Sequence, residues 1–488
     1  MESNRTSKIR LVELSSRALD AFFLPAQGRL SIWFDRLWAI ALYLIGVLQW
    51  GLFLNWGKVP FDVHDWTQAG AYFSFLRQAA LSGQLPLFIG STLLTTDRYL
   101  GRPDTLISPQ AYLLRFIEPG PFTLVNMLIL YSIGFLGLLL LKRRYRLSAF
   151  VFTVMFFLFN FNGNITDHTA VGHIVWTGYY FLPYFALLVL RAVEGEKTDW
   201  SWVLLVALTL FLMTLQGAFH FMLWCLIFLL SLGVFEQRLF IPVIKVILFS
   251  VLLSLVRLLP PAVEFIGGGT MFISGFPTVL DLFSAMLVLK FPSEALSGPY
   301  KSLGWWELDT YIGLLGFSFV AFFGLFQTWR KKDDRRSLLA PIGVLTFLSI
   351  GQVYSVINHL PIPLMDSERI SSRFFILPLV FLIVLGSIYL QDFLMTEGAR
   401  LLAQRILGLS LLVLLIHDLY QHTRLWRVEN MYSLFTSAQV DIQASVLNHP
   451  DPPYINALIV GGAVSLLTLV VLLALSLFEN RAPRSKSL

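Results

Sequence analysis

The chain has 488 residues, 56% of them hydrophobic and only 14% charged, with a mean hydropathy of +0.70. No water-soluble domain of this length could solvate such a surface, so the composition excludes the soluble classes and leaves a polytopic membrane protein. The net charge of +6 comes from scattered basic residues, which suits the cytoplasmic flanks of membrane spans and gives no argument for nucleic acid as a partner.

Residues 1–33 carry Arg5, Lys8, Arg10, Arg17 and Arg29 and no uninterrupted apolar core, so they do not read as a signal peptide. Leu11, Leu14, Ala18 and Phe22 recur at helical spacing, which predicts an amphipathic helix on the cytoplasmic membrane face. From residue 34 to 477 the sequence reads as one transmembrane domain, followed by a basic tail at 478–488. A helix needs roughly 20 apolar residues to cross the hydrocarbon. On that measure, spans are expected near 34–55, 121–141, 147–161, 171–192, 201–215, 217–235, 239–259, 310–328, 338–357, 372–390, 405–420 and 455–477, with a tight turn at Gln216-Gly217. The expected fold class is all-α, polytopic, with about 12 spans. The single cysteine, Cys225, lies inside an apolar run and excludes an intrachain disulfide.

With the N-terminus inside, the basic runs at Lys142-Arg143-Arg144 and Arg330-Lys331-Lys332, and the C-terminal tail, all fall on the cytoplasmic side. The expected orientation is therefore N-in and C-in, in a cell (plasma) membrane. Segments 56–120, 162–170, 260–309, 358–371 and 421–454 then become extracytoplasmic loops, and the chemistry-bearing residues gather there.

The first and largest loop opens with "FDVHDWTQ", which places Asp62, His64 and Asp65 within four positions at the membrane surface. Trp66, Ala69, Phe73, Leu76 and Ala80 follow at spacings of three and four, which predicts a surface helix that Asp65 would N-cap and Gly83 and Pro86 would end. A carboxylate at this boundary can take a proton from an acceptor hydroxyl while a lipid phosphate leaves a sugar carbon. Asp65, next to the helix, is the preferred base and Asp62 the other candidate; each has an ordinary alternative as a cap or a solvated charge. The same loop carries Arg98 and Arg102, which suit a phosphate leaving group.

The second outer segment, "FNFNGNITDHTAVGHIVW", brings Asp167, His168 and His173 to a span end. Ionisable groups at that depth are costly and point to function. Asp167 could hold a divalent metal such as Mg or Mn, or orient a sugar hydroxyl. Further along, Arg257 and Glu264 are expected to face outward at a span end. Trp305 and Trp306 read as an interface belt or as a sugar-stacking platform. Arg369 and Arg373 stand at the mouth of another span, with Arg373 the better contact for a lipid phosphate. No Gly-rich nucleotide loop, Walker motif or HExxH sequence is present, so a sugar donor would be lipid-linked.

The order of "FDVHDW", "LSGQLPLF", "GRPDTLISPQAYLL" and "DHTAVGHIVWTGYYFLPYFALLVLR" resembles the multi-span glycosyltransferases of the GT-C class, in particular the YfhO-like group, over about residues 30–195. The resemblance implies a polyprenyl-phosphate sugar donor, a glycan, lipid or protein acceptor and an extracytoplasmic active face. It also implies an early loop aspartate acting as base (Asp65, or Asp62) and a second acidic position at Asp167; a metal there would lie on Asp65 or Asp167. The chain departs from protein mannosyltransferases, which have adjacent Asp-Glu where it has Asp-Val-His-Asp. It also lacks the large C-terminal domain of oligosaccharyltransferases. Two other classes fit the same sequence. A twelve-span transporter or lipid flippase is one. A glycan polymerase or ligase relying on His359, Arg369 and Arg373 is the other.

Overall fold

The computed structural model describes residues 19–264, 272–290, 304–358, 368–395, 402–438 and 441–481. Over these residues the chain is an all-α polytopic membrane protein, with one two-stranded antiparallel sheet that pairs Phe88–Gly90 with Ser445–Leu447. Seven helical segments are long and apolar enough to cross a bilayer: Arg29–Phe53, Pro119–Arg144, Ala149–Ala170, Ile174–Val193, Ser371–Phe393, Leu402–Leu434 and Pro452–Glu479.

All twelve apolar stretches of the sequence are helical, but five do not run as single long helices. Trp200–Leu215 and Phe219–Phe235 are short and are joined at Gly217, whose φ of 77° permits the expected tight turn. Gln237–Leu253 and Leu255–Glu264 meet at a 69° bend, so the stretch expected at 239–259 is a broken span or a re-entrant segment. The stretch expected at 310–328 begins at Gly313 and contains a π-helical turn at Val320–Phe326, where Gly324 lets its backbone lie against Leu382. The stretch at 338–357 breaks at Ile350, whose extended backbone separates Leu339–Ser349 from Gly351–Ile357.

Other boundaries also move. The first span starts at Arg29, ahead of residue 34. Leu19–Phe23, assigned from sequence to a surface helix, packs on the bundle through Phe22 and Phe23 against Phe150, with Asp20 paired to Arg405 at 2.6 Å; residues 1–18 lie outside the described residues. The helix expected to end at 420 continues to Leu425, so His422 is a helical residue and not part of a loop.

The helix ends sort into two groups. At one end Arg144 binds Glu194 and Glu196, Arg335 binds Glu194, and Tyr389 donates to Asp333. This brings the basic runs at 142–144 and 330–336 together at one end; the tail beyond 481 lies outside the described residues. At the other end lie Asp65, the 167–173 segment, His220, Glu307, Asp309, Glu368, Arg373 and His422. The segment between the first two long helices, 54–118, folds over this end. Its two-stranded pairing joins it to the 441–451 segment, and Arg98 bridges Asp451 (2.6 and 3.1 Å) and Glu264 (2.7 Å).

Candidate functional site

The site is built by two glycines and a turn. After the first span the chain reverses and reaches His64 at φ 47°, a left-handed conformation that histidine tolerates better than most residues. His64 is held there between Trp306 and Phe435, with ring centroids at 4.9 and 4.7 Å. Trp66 is fully buried and its indole N–H donates to the carbonyl of Ala170 at 2.7 Å, which anchors the start of the surface helix Trp66–Ser82. Gly172, at φ 100°, lies against the backbone of Asp65 and Trp66, where any Cβ would collide with the amide of Trp66. Close contact of the two loops therefore requires glycine, and it brings His173 beside Asp65.

Asp65 occupies the N-cap position but makes no side-chain capping bond. Its carboxylate turns instead to His173, with Oδ2 2.7 Å from Nε2. Among the described residues no hydrogen bond engages Oδ1, and the side chain is 47% exposed. Burial of part of the carboxyl raises its pKa. The hydrogen bond from His173 and the charges of His173, His64 and Arg373 outweigh this and hold it at about 2. Behind Asp65, His173 Nδ1 lies 2.6 Å from His168 Nδ1, and the His168 ring stacks on Trp176 at 3.9 Å. His173 thus meets Asp65 through Nε2 and His168 through Nδ1, and Nε2 of His168 is buried without a partner among the described residues.

Below this lies Arg373, whose guanidinium stacks 5.0 Å from the centre of the Trp176 ring. It binds Glu307 with two hydrogen bonds of 2.8 Å and stands 3.8 Å from Glu368. Glu368 in turn accepts from His220 (2.9 Å) and Trp224 (3.1 Å). Burial raises the Glu368 pKa, but the charge and hydrogen bond of His220 and the charge of Arg373 bring it below the usual carboxylate range.

A second, deeper cluster adjoins the first through neighbouring residues. Asp167, Asp309 and His422 are all fully buried, with His422 Nε2 3.2 Å from Asp309 and 3.6 Å from Asp167. The loop carrying Asp309 comes this close because Gly163 has no side chain; a Cβ there would collide with the Asp309 carboxylate.

Of the sequence-predicted site residues, Asp65, His168, His173 and Arg373 come together, with His64 stacked alongside. Asp167 points into the deeper cluster, where its neighbours are Asp309 and His422 rather than Asp65. Asp62 is tied to the 421–454 segment: its carboxylate accepts from Ser437 and its carbonyl from the amide of Ala438. Arg98 bridges carboxylates of the protein itself, and Arg102 lies over Tyr72 and beside Asp104, at 3.4 Å. Arg369 is exposed and its carbonyl accepts from Ile273. His359 lies outside the described residues. Arg257 is buried, donating to the Thr105 carbonyl at 2.7 Å, which corrects the expectation that it faces outward. Trp305 is buried and donates to Asp309 at 2.7 Å, so it is not part of an interface belt.

Glu307, Asp309, Glu368, His220 and His422 are the members that sequence reasoning left without a role. No family model matches the sequence, and neither the curated proteins nor the solved structures contain a match to it.

Proposed function

We propose that the chain is an integral-membrane glycosyltransferase of GT-C type that uses a polyprenyl-phosphate sugar and has Asp65 as its general base. The observation that carries this reading is the carboxylate of Asp65. It stands at a helix start and does not cap it, is half exposed, and is oriented by His173. A cap would use its oxygens on the helix amides; a base needs one oxygen held and the other available.

In the reaction, the acceptor hydroxyl gives its proton to Asp65 as its oxygen bonds to the anomeric carbon. The bond from that carbon to the phosphate oxygen breaks, and the electron pair leaves with the lipid phosphate. One displacement inverts the anomeric configuration. Arg373 supplies the positive field at Asp65, although its hydrogen-bonding fork is taken by Glu307. Direct clamping of the phosphate by Arg373 would require that fork to open. The acceptor is a glycan, lipid or protein, and the active face is extracytoplasmic with both termini inside.

The test separates transfer from transport. In proteoliposomes loaded with polyprenyl-phosphate sugars, the transferase releases free polyprenyl phosphate when acceptor is present. Movement of intact donor between leaflets with no lipid phosphate formed would overturn the proposal in favour of a flippase.

A further inference from the structure

We infer that Asp167, Asp309 and His422 form a binding site for a single zinc-like divalent ion, separate from the Asp65 pair. Two carboxylates and one imidazole, all with no solvent exposure, lie with their ligand atoms within 4.8 Å of one another. Two buried carboxylates demand compensating charge. Among the described residues no lysine or arginine pairs with either, and His422 is the one basic group they meet. Moreover, Oδ2 of Asp167 is fully buried and no donor reaches it, while the Asp167 carboxylate faces the like-charged carboxylate of Asp309. Leaving such an oxygen empty in a dry site is costly, and a cation satisfies it.

The spacing selects the metal. Bonds of about 2.0–2.1 Å in a tetrahedron put ligand atoms ~3.3 Å apart. His422 Nε2 lies 3.2 Å from Asp309 Oδ2 and 3.6 Å from Asp167 Oδ1, the oxygen beside the unpartnered Oδ2 on the same carboxylate. Magnesium is disfavoured by the imidazole and by its need to keep several waters. The surroundings orient the ligands as second-layer groups do in metal centres. Trp305 donates to Asp309 Oδ2 at 2.7 Å and the amide of Tyr311 donates to Oδ1 at 2.8 Å. Thr166 donates to Asp167 Oδ1 at 3.1 Å and lies 3.5 Å from Nδ1 of His422. The Tyr311 ring stacks on His422 at 4.7 Å, nearly parallel at 9°.

The neighbouring group of His168, His173 and Glu307 does not qualify by the same measure. Its two imidazoles meet through their Nδ1 atoms at 2.6 Å, a hydrogen bond and too close for those two nitrogens to ligate one tetrahedral ion, and Nε2 of His173 is taken by Asp65. Three protein ligands leave a fourth position open, as in sites that bind water or substrate. The ion would tie the span ends Ala149–Ala170 and Leu402–Leu434 to the loop preceding Gly313, and so fix the backbone that carries His168 and Glu307. The site stands whether or not the chain transfers sugars, because its readout is metal content.

The experiment uses the full-length protein in detergent, stripped with a chelator, reloaded with zinc alone and dialysed, with bound metal counted by mass spectrometry. Wild type is expected to hold about one zinc per chain, and His422→Ala and Asp309→Asn less than about a tenth of that. His173→Ala is expected to keep its zinc, which separates this site from the Asp65 pair. Should His422→Ala fail to fold, His422→Cys keeps a zinc ligand, and its cobalt form should show a thiolate-to-cobalt absorption band. A well-folded wild type that retains no zinc would overturn the site. So would zinc lost in His173→Ala and kept in His422→Ala, or a cobalt-loaded His422→Cys variant without the band.

Discussion

Replacing His173 by alanine removes the hydrogen bond and the nearest charge that hold the Asp65 carboxyl at about 2, against an ordinary value of 3.8. Burial, which pushes the carboxyl upward, is then opposed only by His64 and Arg373, and the pKa rises. A full return to the ordinary value would be worth nearly 2.5 kcal/mol in an unscreened site, but for a half-exposed carboxylate solvent reduces this to roughly 1 kcal/mol. At pH 5 the protonated fraction of Asp65 should therefore grow by about 8-fold for half the shift and ~60-fold for all of it. The sign for stability follows. A depressed carboxylate stabilises the fold above its ordinary pKa, and the contribution is lost as pH falls through about 2; in the variant the loss should come at higher pH. Carbodiimide labels protonated carboxyls, so the rate of Asp65 labelling at pH 5, read by peptide mass spectrometry, reports the change directly. Labelling equal in wild type and variant would show that His173 does not hold Asp65 in its ionised state.

Gly172→Ala should cost about 1–3 kcal/mol from its left-handed backbone alone, with a further loss from the clash at Trp66, and should raise Asp65 labelling as His173 moves away; thermal unfolding in detergent measures the first effect. Arg373→Met leaves Glu307 without its cation, while Glu368 keeps His220, and should destabilise by about 3–5 kcal/mol, with part recovered in the double variant Arg373→Met/Glu307→Gln. Arg98→Ala should cost only about 1 kcal/mol, because its pairs are partly solvated, yet should expose the 441–451 segment to limited proteolysis. If Arg98 instead binds donor phosphate, the same variant would weaken donor binding and leave proteolysis unchanged.

Much of the architecture could be read from the sequence because bilayer physics writes it in long apolar runs. The helix after Asp65 was legible for the same kind of reason, since Trp66, Ala69, Phe73 and Leu76 repeat at helical spacing and are buried; Ala71, Tyr72 and Phe75, off that spacing, are buried too, so the helix is covered more widely than a one-faced surface helix. Breaks inside apolar runs were harder to place: Arg257, Pro260 and Pro261 mark the helix after the bend at Ser254 without fixing the bend itself, and the π-helical turn at Val320–Phe326 contains no proline or charge. At the site, the residues clustered in sequence, Asp62 to Asp65 and Asp167 to His173, drew attention as groups, but each group divides in the fold: Asp65, His168 and His173 meet, while Asp62 pairs with Ser437 and Asp167 with His422. The partners Glu307, Glu368 and His422 did not draw attention, because they reach the site from segments more than a hundred residues away. For His422 a local signal existed: it follows Asp418 by four residues, so a helix continuing past 420 presents both on one face. Asp62 and Asp65 look alike in sequence. What separates them is the partner each meets, Ser437 for one and His173 for the other.

Asp65 is proposed as the base of a sugar transfer from a lipid phosphate. The most direct measurement is release of polyprenyl phosphate by wild type and by Asp65→Asn, in proteoliposomes with donor and acceptor. The two side chains are nearly the same size and His173 can still meet the amide oxygen, so folding should be preserved. The account expects release to fall by about 10²–10⁴-fold in the variant, with donor binding retained. Release at the wild-type rate by a folded Asp65→Asn protein would contradict it.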